Sequence, residues 1–214
     1  MQDHKLQMLH SSKDCHWRTP PELYDPLNQL YHFDVDLAAT SENALVEVDD
    51  GSNLSYLGPD HPDERYQDAL SVLWHTIGKT GFLNPSYSLT MYSAGLKAGA
   101  ERADLRWLLV ESWAEKAYWE SQRGFTTVGV FPYAPQTEWF RQYVMGHDLT
   151  GKNGTGWRGH AALDAWVIPH RVTFLDSSGE VKNNANGNTC VVHWGPNHGF
   201  VGPWAPSLRY WSYR

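Results

Sequence analysis

From Phe33 to Met145 the chain alternates short apolar runs with stretches of helical periodicity, and this alternation most narrows the folds open to it. Phe33-Asp34-Val35-Asp36-Leu37-Ala38-Ala39 alternates apolar with acidic residues and then turns small, as a strand ending on a carboxylate and a tight turn does. Gly81-Phe82-Leu83 reads as a second short strand, stopped by Asn84-Pro85-Ser86-Tyr87-Ser88. Leu105 to Gln122 has the spacing of an amphipathic helix, apolar at Leu105, Leu108, Leu109, Trp113 and Ala117 and closed by Arg123-Gly124. Thr126 to Phe131 reads as a β-branched buried strand, and Thr137 to Met145 as another helix. Upstream, Thr19-Pro20-Pro21-Glu22-Leu23 has the form of a helix start, with Thr19 as N-cap and the helix running to about Tyr31.

Strand, helix, strand and helix predict an α/β fold, a mainly parallel sheet with helices on both faces. At 214 residues the chain suits one domain. Residues 1–145 form its core; residues 146–214 are a C-terminal, β-rich and loop-rich extension with strands at Trp166–Ile168, Val172–Leu175 and Thr189–Val192. Ligands of such sheets bind beyond the carboxyl ends of the strands. The segments after Asp36 and after Leu83 both lie there.

Composition removes several function classes. A net charge of −7 argues against a non-specific nucleic-acid coat, although from Arg141 onward seven basic residues face four acidic ones, a surplus that could meet phosphates. Two cysteines without a CxxC pair indicate neither a disulfide framework nor a zinc knuckle. Eleven histidines, His193 and His198 among them, lack ligand-type spacing, so no metal is expected. No apolar run approaches a membrane span, and Met1 to Lys13 is too polar for a signal-peptide core, so a cytoplasmic protein is expected. Trp107, Trp113 and Trp119 recur at a spacing of six and do not form one helical stripe; packing in the core and at its rim accounts for them.

Asn84-Pro85-Ser86-Tyr87 carries the most specific chemistry. The amino group of adenine is a poor nucleophile because its lone pair is conjugated with the ring. Two acceptors for its hydrogens, the Asn84 side-chain carbonyl and the Pro85 backbone carbonyl, would pull the nitrogen toward tetrahedral geometry. Tyr87 would stack on the base once it is extruded from the helix, and the rate gain would come from alignment and preorganised dipoles. The same four residues also suit an ordinary turn. Asp36 alone also fits a helix cap or a surface carboxylate, and Thr19-Pro20 alone a cap.

The order and spacing of these pieces favour a site over a turn. Asn-Pro-Ser-Tyr is similar to the Asn-Pro-Pro-Tyr signature of amino-group methyltransferases. With Trp17-Arg18-Thr19-Pro20, Phe33 to Ala39, Asn43-Ala44, Asp68-Ala69-Leu70 with Trp74, Gln122-Arg123-Gly124, Val130-Phe131-Pro132 and Thr137-Glu138-Trp139-Phe140, the chain resembles the phage-type DNA N6-adenine methyltransferase family from about Trp17 to Phe174. The resemblance implies a Rossmann-like fold, S-adenosylmethionine as methyl donor and double-stranded DNA as partner. It also implies a role in a phage-infected cell, protecting DNA against restriction. Thr19, Pro20, Asp36, Ala38, Asp68 and Asn84 would line the donor site, with Asp36 meeting its amino group. Asn84, Pro85, Ser86 and Tyr87 would handle the base.

One position departs from the pattern: Ser86 stands where the family commonly has proline, which loosens the turn. Other acceptors for the same chemistry are protein glutamine, RNA or cytosine N4, and a non-catalytic DNA-binding relative is a further alternative. The segment from Gly146 to His160 is glycine-rich, basic and aromatic. It reads either as a DNA-contacting loop, with Lys152 and Arg158 on phosphates and Trp157 near the displaced base, or as a mobile surface loop.

Overall fold

A computed structural model describes residues 18–47, 55–148, 156–157, 162, 164–168, 170–176, 179–181 and 188–196. In chain order the regular elements are α1 (Pro21–Tyr31), β1 (Val35–Asp36), β2 (Thr80–Leu83), α2 (Leu89–Lys97), α3 (Val110–Ser121), β3 (Thr126–Pro132), β4 (His147–Asp148), β5 (Gly156–Trp157), β6 (Asp164–Val167) and β7 (Thr189–Trp194). Five strands form one open sheet in the order β1-β2-β3-β7-β6. The pairs β1–β2 and β2–β3 are parallel, while β7 runs antiparallel to both β3 and β6. Four of the five strands therefore point the same way, with β7 reversed between two of them. Beyond β1, Tyr56 adds a parallel bridge to Asp36.

Side chains alternate across the strands and divide the core in two, because a strand sends successive side chains to opposite faces. Phe82, Val128, Val130, Trp166 and Val191 pack on one face with Leu23, Tyr24 and Leu27 of α1. Val35, Leu83, Phe131, Cys190, Val192 and Trp194 pack on the other with Trp113, Ala114 and Ala117 of α3. Helices thus cover both faces, as the alternation predicts. The central strands β3 and β7 are buried almost throughout, the expected state for strands covered on both sides. Each fully buried residue such as Phe82, Leu83 or Trp194 contributes roughly 1.5–3 kcal/mol.

Several local expectations are corrected. Thr19 does not cap α1: Pro20 holds the cap position, with no side-chain cap bond, and the Thr19 hydroxyl is engaged elsewhere. The helix expected over Leu105–Gln122 breaks into a 3-10 segment, Ala103–Leu108, and α3, because Leu109 adopts an extended backbone. The cause is tertiary: the Leu108 carbonyl accepts the Ser88 N–H at 3.0 Å, tying this connector to the loop after β2. The helix expected over Thr137–Met145 covers residues 138–144 and is widened to a π-helix over Phe140–Val144. Val172–Leu175 forms no strand; only Leu175 is bridged, to Arg18 and Val181. His193 lies buried on β7, where its Nδ1 meets the Tyr31 hydroxyl at 3.1 Å and burial lowers its pKa to about 4. It is a neutral core residue. Among the described residues no group of three or more metal-ligating side chains occurs, and no helix is long and apolar enough to cross a membrane.

One buried ionic contact fastens the β1–β2 connection to α3. Glu120 is fully buried; its carboxylate takes the His75 Nδ1 at 2.7 Å and the Lys116 Nζ at 2.6 Å. Desolvation acts to raise its pKa, but the bonds from Lys116 and His75 outweigh it and the net direction is down. Lys116 also lies over the Trp74 ring at 5.4 Å. Glu120→Ala leaves Lys116 without its acceptor in a largely buried site and is expected to cost about 3 kcal/mol in urea unfolding. A loss below about 1 kcal/mol would contradict this account.

Candidate functional site

The carboxyl ends of β1 and β2 and the Tyr56 bridge all face one end of the sheet. There a cavity of about 530 Å³ opens, within the roughly 300–1,000 Å³ usual for small-ligand sites. Its walls come from separate parts of the chain. Ala38, Ala39, Thr40 and Asn43 follow β1; Leu57, Gly58 and Pro59 follow the bridge; and Ser86 follows β2. Gln67, Asp68, Ala69 and Leu70 form a third side, and Asp104, Arg106, Trp107 and Trp113 a fourth.

Without a glycine-rich turn after β1, the chain achieves close approach from the opposite wall. A Cβ added to Gly58 would overlap the Ala39 carbonyl oxygen. The loop after β1 is held by the sheet and by its own carboxylate. Leu37 N–H donates to the Phe82 carbonyl at 2.8 Å and Ala39 N–H to the Leu57 carbonyl at 3.0 Å. Asp36, buried beneath the loop, accepts the Ala38 N–H at 3.4 Å and the Leu45 N–H at 3.2 Å. Thr40 closes the turn by donating its N–H to Asn43 Oδ1 at 2.6 Å.

Of the site residues expected from sequence, Ala38, Asp68 and Ser86 line the cavity. Asp68 is half-exposed at the rim, where it pairs with Arg106 Nη2 at 2.6 Å and accepts the Ser71 hydroxyl. Thr19 and Asn84 are brought together away from the lining: Asn84 Nδ2 donates to Thr19 Oγ1 at 2.8 Å across 65 positions of sequence. Pro20 and Pro85 are buried, and Asp36 sits behind the wall. Tyr87 leaves 40% of its surface open, while desolvation, with Cys190 as the lesser influence, raises its phenol pKa. Its ring is thus partly open to solvent although the hydroxyl is shielded. Of the expected DNA-contacting residues, Trp157 is placed by its backbone in β5, which pairs antiparallel with β4. Lys152 and Arg158 lie outside the described residues.

Sequence reasoning missed Asn43, Gln67, Asp104, Arg106, Trp107 and Trp113 as cavity residues. A signal existed for the tryptophans. Their spacing of six fits no single helical face, and Trp107 and Trp113 lie on different segments either side of the extended Leu109.

The arrangement suits a ligand with an aromatic ring and a positive charge. Two indoles offer ring contact, and the Asp68 and Asp104 carboxylates offer counter-charge. Arg106 supplies a fork for an anionic end.

Asp36 carries a testable electrostatic signature. Burial raises its carboxyl to about 7, against the lowering bonds from Leu45 and Ala38. Between the ordinary carboxylate range and about 7 the folded chain keeps a proton that the unfolded chain releases. Stability therefore falls as pH rises through that window and levels off above it. Asp36→Asn should flatten the slope, an effect of up to about 2.5 kcal/mol between pH 5 and pH 8 in urea unfolding. An unchanged slope in the variant would locate the titrating group elsewhere.

No family model, curated protein or solved structure matches the chain, so what the site does has to be read from its own residues.

Proposed function

We propose that the chain is a Rossmann-like, S-adenosylmethionine-dependent methyltransferase acting on the exocyclic amine of adenine in DNA. One observation carries the reading. The Asn84-Pro85-Ser86-Tyr87 segment leaves the carboxyl end of a parallel strand with Ser86 in the cavity wall and the Asn84 amide held by a buried hydroxyl. The cavity's two indoles, its carboxylates and its arginine fit a donor that joins an adenine ring, a cationic centre and a carboxylate.

When bound, S-adenosylmethionine supplies an electrophilic methyl group on a positively charged sulfur. The chain's own residues prepare the acceptor. Asn84 Oδ1 and the Pro85 carbonyl accept the two amine hydrogens, which frees the nitrogen lone pair from conjugation with the ring. The proton shed by the methylated nitrogen leaves past Asn84 Oδ1 to solvent. Tyr87, with its ring partly open, receives the extruded base by stacking.

Ser86 in place of proline is compatible with a defined turn, because the next residues fix it. Ser88 caps α2 by accepting the Met91 N–H at 3.3 Å, and its own N–H is bound by Leu108. Those bonds supply restraint that a proline ring would otherwise give. An active enzyme is therefore favoured over a non-catalytic relative.

Incubation with tritiated donor and unmethylated DNA should label adenine N6. Asn84→Ala should lower kcat by about 100-fold or more with the folded state intact. Label found only on protein glutamine, RNA or cytosine would reassign the acceptor. Donor binding with no transfer to any acceptor would overturn the enzymatic reading.

A further inference from the structure

We infer that Thr19 sets which end of the Asn84 carboxamide faces the target amine, a positioning role that rests on the proposed adenine chemistry. A carboxamide has two nearly isosteric ends of opposite function, an acceptor oxygen and a donor NH2. Only the oxygen can accept a hydrogen from an amine. An Asn84 turned the other way would set donor against donor, and the nitrogen would stay flat.

The orientation is fixed from outside the motif. Asn84 Nδ2 donates to Thr19 Oγ1 at 2.8 Å, and Thr19 is 3% exposed, so the bond is shielded from competing water. With Nδ2 committed to Thr19, Oδ1 points to the opposite side of the amide. Thr19 is itself restrained on both flanks. Before it, Arg18 and Leu175 exchange backbone bonds at 2.8 and 3.0 Å. After it, Pro20 holds an extended φ of −67° and its carbonyl accepts from Leu23 and Tyr24 as α1 begins. The hydroxyl is not spent on α1, which lacks a side-chain cap bond. A residue whose place before two prolines suggests a helix cap thus serves the segment that follows β2. This differs from the donor-lining role that the family resemblance implies for Thr19, and the cavity wall does not include it.

The test compares Thr19→Val, which keeps shape and loses the hydroxyl, with Thr19→Ser, which keeps the hydroxyl. Thr19→Val should lower kcat by about 10- to 100-fold, with the dissociation constant for S-adenosylmethionine, measured by calorimetry, changed less than about twofold. Thr19→Ser should recover most of the lost rate. Independently of activity, the Asn84 side-chain NH2 resonances, assigned by their loss in Asn84→Asp, should shift in Thr19→Val and return toward their original position in Thr19→Ser. An unmoved Asn84 amide signal in Thr19→Val overturns the inference whether or not the wild-type protein methylates DNA. A fall in donor affinity that matches the fall in rate also overturns it, and makes Thr19 a donor-contacting residue. A moved signal in a wild-type protein that transfers no methyl to adenine leaves the hydrogen bond standing and sinks the functional reading instead.

Discussion

A parallel ladder can be extended only by loops that all leave from the same end of the sheet. β1, β2 and the bridge at Tyr56 obey that constraint, and their exits converge on the cavity described above. Everything chemically interesting in the chain follows from that geometry. Backbone bonds from Leu37 to Phe82 and from Ala39 to Leu57 carry the sheet's order past its edge, so the wall of the cavity is as well defined as the strands themselves. The reversed strand β7, followed by β6 at the edge, completes the sheet beyond β3.

Two buried polar groups then shape what the loops present. Asp36 spends its carboxylate on loop N–H groups and so acts on the ligand wall from behind. Its burial is electrostatically unfavourable, and a cationic ligand near the loop would stabilise its ionised form. Asn84 is engaged from its donor end by Thr19. Asp36 thus holds the lining residue Ala38 from behind, whereas Thr19 and Asn84 meet outside the cavity lining.

Much of this was legible in the sequence where a pattern has one physical cause. The strand at Gly81–Leu83 and its arrest at Asn84-Pro85 were readable because a buried strand must end where backbone donors run out. The two-sided core was readable from the alternation of strand and helix. What the sequence hid depended on contacts far along the chain. Nothing local signals that Leu109 goes extended; the reason is a hydrogen bond from Ser88 to Leu108. Thr19 has the local appearance of an N-cap, and only the approach of Asn84 gives its hydroxyl another partner. Val172–Leu175 has strand propensity but pairs only at Leu175, with Arg18 and Val181. Arg106 and Trp107 fall within the helix expected over Leu105–Gln122, but lie in the 3-10 segment Ala103–Leu108 and line the cavity.

The central claim is that the cavity at the carboxyl end of this sheet holds S-adenosylmethionine. Calorimetric titration of the full chain with S-adenosylmethionine, beside an Ala38→Trp variant whose indole fills the space beneath the loop after β1, tests it most directly. The account predicts one binding site per chain, with binding lost in the variant while its unfolding midpoint stays near that of the parent. Absence of binding in the parent, or binding that Ala38→Trp leaves untouched, would contradict it.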